Sequence, residues 1–104
     1  MGKAYAYFNG GYSIEELKEE LPSIREKVET PNELELIVTE DPENDRFPIN
    51  QYSIEASHLQ LNNVKTSDLL SDIMNGLYAS GLYQKREKFY GQIEYEENGS
   101  MKQR

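Results

Sequence analysis

Residues 3–28, KAYAYFNGGYSIEELKEELPSIREKV, change period midway, and that change sets the architecture expected of the chain. From Lys3 to Phe8, Ala4, Ala6 and Phe8 alternate with Tyr5 and Tyr7, the two-residue repeat of a strand with a small-residue face and an aromatic face. Asn9, Gly10 and Gly11 break the strand. Ser13 and Glu16 then form an S-x-x-E capping box, whose hydroxyl and carboxylate satisfy free amides at a helix start, with Tyr12 and Leu17 at the staple positions. Ile14, Leu17, Leu21, Ile24 and Val28 recur at intervals of three and four and define the buried stripe of that helix. Pro22 lacks an amide, which predicts a kink or a break near Leu21 with a restart from Pro22.

Downstream, Leu34, Leu36 and Val38 alternate with Glu33, Glu35, Ile37 and Thr39 as a second strand, and Asp41 to Asp45 has the composition of a loop. Phe47 to Leu61 reads extended, with a change of parity between Ala56 and Leu59 that predicts a bulge or two shorter strands. Thr66 or Ser67 caps a second helix whose apolar positions are Leu69, Leu70, Ile73, Met74, Leu77, Tyr78 and Leu82, with Gly81 near its end. Phe89, Ile93 and Tyr95 alternate with Tyr90, Gln92 and Glu94 in a last strand. The order is βαββαβ, an α+β single domain of the split βαβ, ferredoxin-like kind: an antiparallel sheet covered on one face by two helices. Residues 1–96 form this domain and residues 97–104 a polar tail.

Composition narrows the field. A chain of 104 residues has room for one domain. Leu, Ile, Val and Phe make up 23 residues, just above the roughly 20% level below which a charged chain stays disordered, and eight Tyr add to the core material. The chain has no cysteine, no long apolar run and no charged-then-apolar leader after Met1, so the expectation is a cytoplasmic protein without a membrane span or a thiolate site.

The net charge of −8 is local: residues 13–46 carry twelve acids against four bases, and the remainder balances. Outside that segment Lys85, Arg86 and Lys88 form a small basic spot. This distribution argues against direct nucleic-acid binding or an anionic membrane and favours a basic protein surface as partner, although charge of this kind also serves solubility alone. Eight charges spread over a domain about 30 Å wide give about one per 4 Å, sparse beside one per ~1.7 Å in duplex DNA, so full DNA mimicry would need the acids gathered on one edge.

Site signatures are weak throughout. The Asn9-Gly10-Gly11 turn lacks the G-x-G-x-x-G spacing, and Glu15 and Glu16 would repel a phosphate at that helix start. His58 is the only imidazole, which excludes paired-His metal sites, and no G-x-S-x-G motif accompanies it. Asp41, Glu43 and Asp45 imitate a calcium loop until Arg46 replaces its Gly and Tyr52 its bidentate Glu. Asp68 and Asp72 lie one turn apart, as acids near a helix start ordinarily do. Asn98-Gly99-Ser100 matches a glycosylation pattern with no secretory route to use it.

Tyr5, Tyr7 and Tyr90 are placed on the open sheet face, where tyrosine suits a protein interface, a homodimer, core packing or base stacking; the negative charge and the missing RNP run argue against bases. The reading is therefore a small acidic noncatalytic interaction domain with no cofactor or metal. Glu15, Glu19, Glu26, Glu29, Tyr5, Tyr7 and Tyr90 are its partner-binding residues, and it would act as an inhibitor of a nucleic-acid-binding enzyme or toxin. The alternative is a regulatory small-molecule-binding module of the same architecture, with its ligand at the first strand-to-helix turn or between subunits.

Overall fold

The protein is described here from a computed structural model, in which residues 1–9, 13–29, 31–40, 52–79 and 90–104 are described. The elements are β1 (Gly2–Asn9), α1 (Ile14–Arg25), a 3₁₀ turn (Pro31–Glu33), β2 (Leu34–Glu40), β3 (Tyr52–His58), α2 (Asn63–Ala79), β4 (Tyr90–Glu97) and β5 (Ser100–Gln103). The five strands among the described residues form one antiparallel sheet in the order β2-β3-β1-β4-β5, which with the two helices described makes a small α+β domain.

The register follows from which side chains can be buried. Ala4, Ala6 and Phe8 of β1 sit opposite Ala56, Ile54 and Tyr52 of β3, and all six are buried. Small side chains in these central strands let the helices approach the backbone. Leu17, Leu21 and Ile24 of α1 join Leu69, Leu70, Ile73, Met74 and Leu77 of α2 in the same apolar cluster. Phe8 and Tyr52 meet across the strands with ring centroids 5.7 Å apart, within the range of favourable tilted pairs.

The capping box forms as the sequence dictates: Glu16 N–H donates to Ser13 Oγ at 3.1 Å and Ser13 N–H donates to Glu16 Oε1 at 3.2 Å. Pro22 does not split the helix. It lies inside an unbroken α1, leaving the Lys18 carbonyl without its usual amide donor, and the helix ends at Arg25 rather than reaching Val28.

The second helix starts earlier than its hydroxyls imply. Asn62 is the cap, its Oδ1 accepting from Lys65 N–H at 2.8 Å, while Thr66 and Ser67 are buried one turn in and donate back to the Asn62 and Val64 carbonyls. A Cβ at Gly2 would collide with Thr66 Oγ1 and with the carbonyls of Asn62 and Leu61, so β1 must begin with a residue lacking one. No bulge explains the parity change after Ala56. β3 stops at His58, and Leu59 lies outside it, exposed.

The stretch read as a polar tail is polar and exposed, yet residues 100–103 are paired: β5 lies against β4 through a two-residue turn. Asn98 and Gly99 both have positive φ, 53° and 80°, the backbone that Asn-Gly hairpins favour. Expectations for Gly10, Gly11, Asp41 to Asn50, Gly81, Leu82, the Lys85-Arg86-Lys88 spot and Phe89 fall outside the described residues. No helix among the described residues is long and apolar enough to cross a membrane.

Candidate functional site

The acidic residues singled out in the sequence are all exposed. Glu15 and Glu19 stand one turn apart on α1, Glu26 is its C-cap, and Glu29 follows in the turn beyond. Glu35 and Glu40 add two exposed carboxylates on β2. None of these six enters an ion pair among the described residues. The neighbouring acids differ: Glu16 closes the capping box, and Glu33 faces His58.

Tyr5 and Tyr7 alternate with the buried alanines and therefore project from the other face of the sheet, where both are half-buried. Tyr5 is flanked in register by Glu55 of β3 and Glu94 of β4, and Lys3 Nζ lies 3.6 Å from Glu55. Glu94 shares the face of Tyr5 in that register, yet its side chain is fully buried. Tyr90 opens β4, and its side chain lies outside the described residues. The acids of α1 and the pair Tyr5 and Tyr7 lie on opposite sides of the sheet, so the candidate residues make two separate surfaces rather than one.

His58 anchors a turn. It is 1% exposed, and Nδ1 accepts the backbone N–H groups of Gln60 at 3.1 Å and Leu61 at 3.2 Å, pinning the bend that leads into α2. Nδ1 thus carries no proton, and in the neutral ring the proton resides on Nε2, 3.5 Å from Glu33 Oε2. An imidazole held this way at Nδ1 orients a turn and has no lone pair there for a nucleophile. Asp68, near the start of α2, forms an ion pair with Arg104 beyond β5.

One concavity was not anticipated. Lys18, Leu21, Pro22 and Arg25 fall at spacings of three and four on α1 and face Leu36 and Val38 of β2 across a cleft of about 290 Å³. The spacing itself carries that signal, since the turn that buries Leu21 also aligns Lys18, Pro22 and Arg25 along one side of the helix. Comparison with known protein families, curated proteins and solved structures returns no match for this chain.

Proposed function

We propose that this chain is a small noncatalytic interaction domain whose exposed carboxylates on α1, its exit turn and β2 engage a basic surface of another protein, in the manner of an inhibitor of a nucleic-acid-binding enzyme or toxin. The observation that carries this reading is the set Glu15, Glu19, Glu26, Glu29 and Glu40, exposed and free of ion pairs among the described residues, with Glu40 on the helix-covered side of β2. Unpaired exposed charge of one sign produces a long-range field that accelerates encounter with an opposite surface. The engagement of His58 with its own backbone supports a noncatalytic role. We read the frame as ferredoxin-like, a view supported by the strand order, in which β3 lies between β2 and β1, and β1 between β3 and β4.

The test is capture of partners at low and high salt, followed by kinetics with Glu15, Glu19, Glu26 and Glu29 replaced by Gln. The capping pair Ser13 and Glu16 stays intact, so folding survives. The substitutions slow association more than they speed dissociation, and affinity falls as the Debye length contracts from about 10 Å at 0.1 M salt to about 3 Å at 1 M. A partner whose affinity ignores both changes would refute the acidic docking surface and transfer the role to Tyr5 and Tyr7.

A further inference from the structure

We infer that the cleft between α1 and β2 binds a small monocarboxylate with a compact apolar body, the carboxylate held by Arg25 and Lys18 and the body packed on Leu21, Pro22, Leu36 and Val38. The cleft is lined by side chains other than those proposed to dock a partner, and its occupation does not require that docking.

Three observations carry the inference. The first is the lining: two cations and four apolar side chains meet in one concavity, supplied by a single stripe of α1 and by alternate residues of β2. Leu36 and Val38 are only partly buried against the core, so their free sides form an apolar floor. Pockets for small molecules combine such a floor with a few placed polar groups.

The second is the state of the cations. Within a segment rich in carboxylates, neither Lys18 nor Arg25 forms an ion pair among the described residues. Arg25 is incompletely used as well. Of its five N–H donors, Nη1 reaches the Leu34 carbonyl at 3.4 Å, a long bond, while Nε is shielded from solvent with no acceptor. A carboxylate is the acceptor whose geometry matches a guanidinium fork, and a shift of Arg25 toward such a ligand would give up only that long contact.

The third is the selectivity the surroundings impose. At about 290 Å³ the cleft stands near the lower end of the size range of ligand pockets, which suits a small molecule. Glu15, Glu19 and Glu26 lie on the same helix and at its end, so a polyanion approaching the cleft meets long-range repulsion that a single negative charge meets less. The apolar floor adds attraction for a ligand body that inorganic anions lack. Together these features select one carboxylate on an apolar body over phosphate.

The experiment titrates the isotope-labelled full chain with 3-phenylpropionate, with 3-phenylpropan-1-ol, which keeps the body but loses the charge, and with inorganic phosphate, reading backbone amide shifts. The acid shifts Leu21, Arg25, Leu36 and Val38 saturably, with a Kd in the low millimolar range or tighter for a ligand of this size. The alcohol binds at least about tenfold more weakly, the scale of a lost charge-assisted hydrogen bond, and phosphate leaves those amides unmoved. Lys18→Gln and Arg25→Gln each weaken the acid severalfold and leave the alcohol unchanged. Lys18 is exposed and has no described hydrogen-bond partner, so its variant reports even if Arg25→Gln unfolds the chain. The inference is overturned by equal affinity for acid and alcohol, by phosphate binding as tightly as the acid, by indifference of the acid to Lys18→Gln, or by no saturable shift up to about 20 mM acid.

Discussion

Gly76 of α2 packs directly against Ile24 of α1, and replacing it tests that packing. A Cβ built there would lie 2.6 Å from Ile24 Cγ2, whereas Ile24 Cβ and Cγ1 stand at an ordinary 3.6 Å. Alanine brings about 1 kcal/mol of helix propensity over glycine. Against this, carbon atoms prefer about 3.5–4.0 Å, so Ile24 must move by about 1 Å. Its β-branched side chain sits on a helix with one favoured rotamer and is 6% exposed, so it has little room to turn. Overpacking of this kind costs about 1–3 kcal/mol, leaving Gly76→Ala destabilised by about 0–2 kcal/mol. Ile24→Leu removes the offending Cγ2 at nearly constant volume. In that background Gly76→Ala should recover its propensity gain and stabilise by about 1 kcal/mol, a coupling of about 2 kcal/mol. Urea unfolding of the four proteins, compared at matched m-values, measures it. Coupling below about 0.5 kcal/mol, the level at which independent sites add, would refute the contact and with it the placement of the helix that carries both the acids and the cleft.

Ile73 is fully buried between α2 and the sheet, so Ile73→Ala should cost about 2–5 kcal/mol in the same assay; a change within about 0.5 kcal/mol would remove α2 from the core. Gly99→Ala meets no neighbour within 4 Å, so its whole cost is the φ of 80° it forces on alanine, about 1–2 kcal/mol, with spectral changes confined to β4 and β5. For His58, nitrogen-detected spectra should place the neutral ring's proton on Nε2, and a proton found on Nδ1 would contradict the turn it is assigned to hold. His58→Gln should lower stability by about 1–3 kcal/mol while partner binding by the folded fraction stays within a few-fold; a loss of about 10²-fold in any activity, with folding intact, would restore a catalytic role.

Local chemistry was legible wherever a side chain acts on its own neighbourhood. Ser13 and Glu16 bond as the capping box requires, and the alternation of Ala4 and Ala6 with Tyr5 and Tyr7 separates core from open face. The misreadings have local causes too. Thr66 and Ser67 resemble a helix start because hydroxyls before an apolar run usually cap, but here they are buried and bond backward, and Asn62 caps instead. Leu59 appeared to change the face of a strand that had already ended at His58. Asn98-Gly99-Ser100 matches a glycosylation pattern, but Asn-Gly is also among the strongest hairpin signals, and it is the hairpin that forms, joining β4 to β5. Exposure of Glu15, Glu19, Glu26 and Glu29 followed from their spacing relative to the leucine stripe. Their separation from Tyr5 and Tyr7 did not, since it depends on which sheet face receives α1, and neither did the cleft, which needs β2 brought alongside Lys18 and Arg25.

The position of β2 at the outside of the sheet gives its acids a consequence for the chain's behaviour toward itself. An outer strand presents unpaired amides and carbonyls that invite another copy to add on. Glu35 and Glu40 sit on a strand of seven residues, about 23 Å long, so two such strands meeting side by side would crowd four carboxylates within about two Debye lengths at 0.1 M salt. Two copies meeting along β2 would therefore repel one another at low salt, which disfavours extension of the sheet at that strand. High salt screens that repulsion and so lowers the barrier to self-assembly along β2.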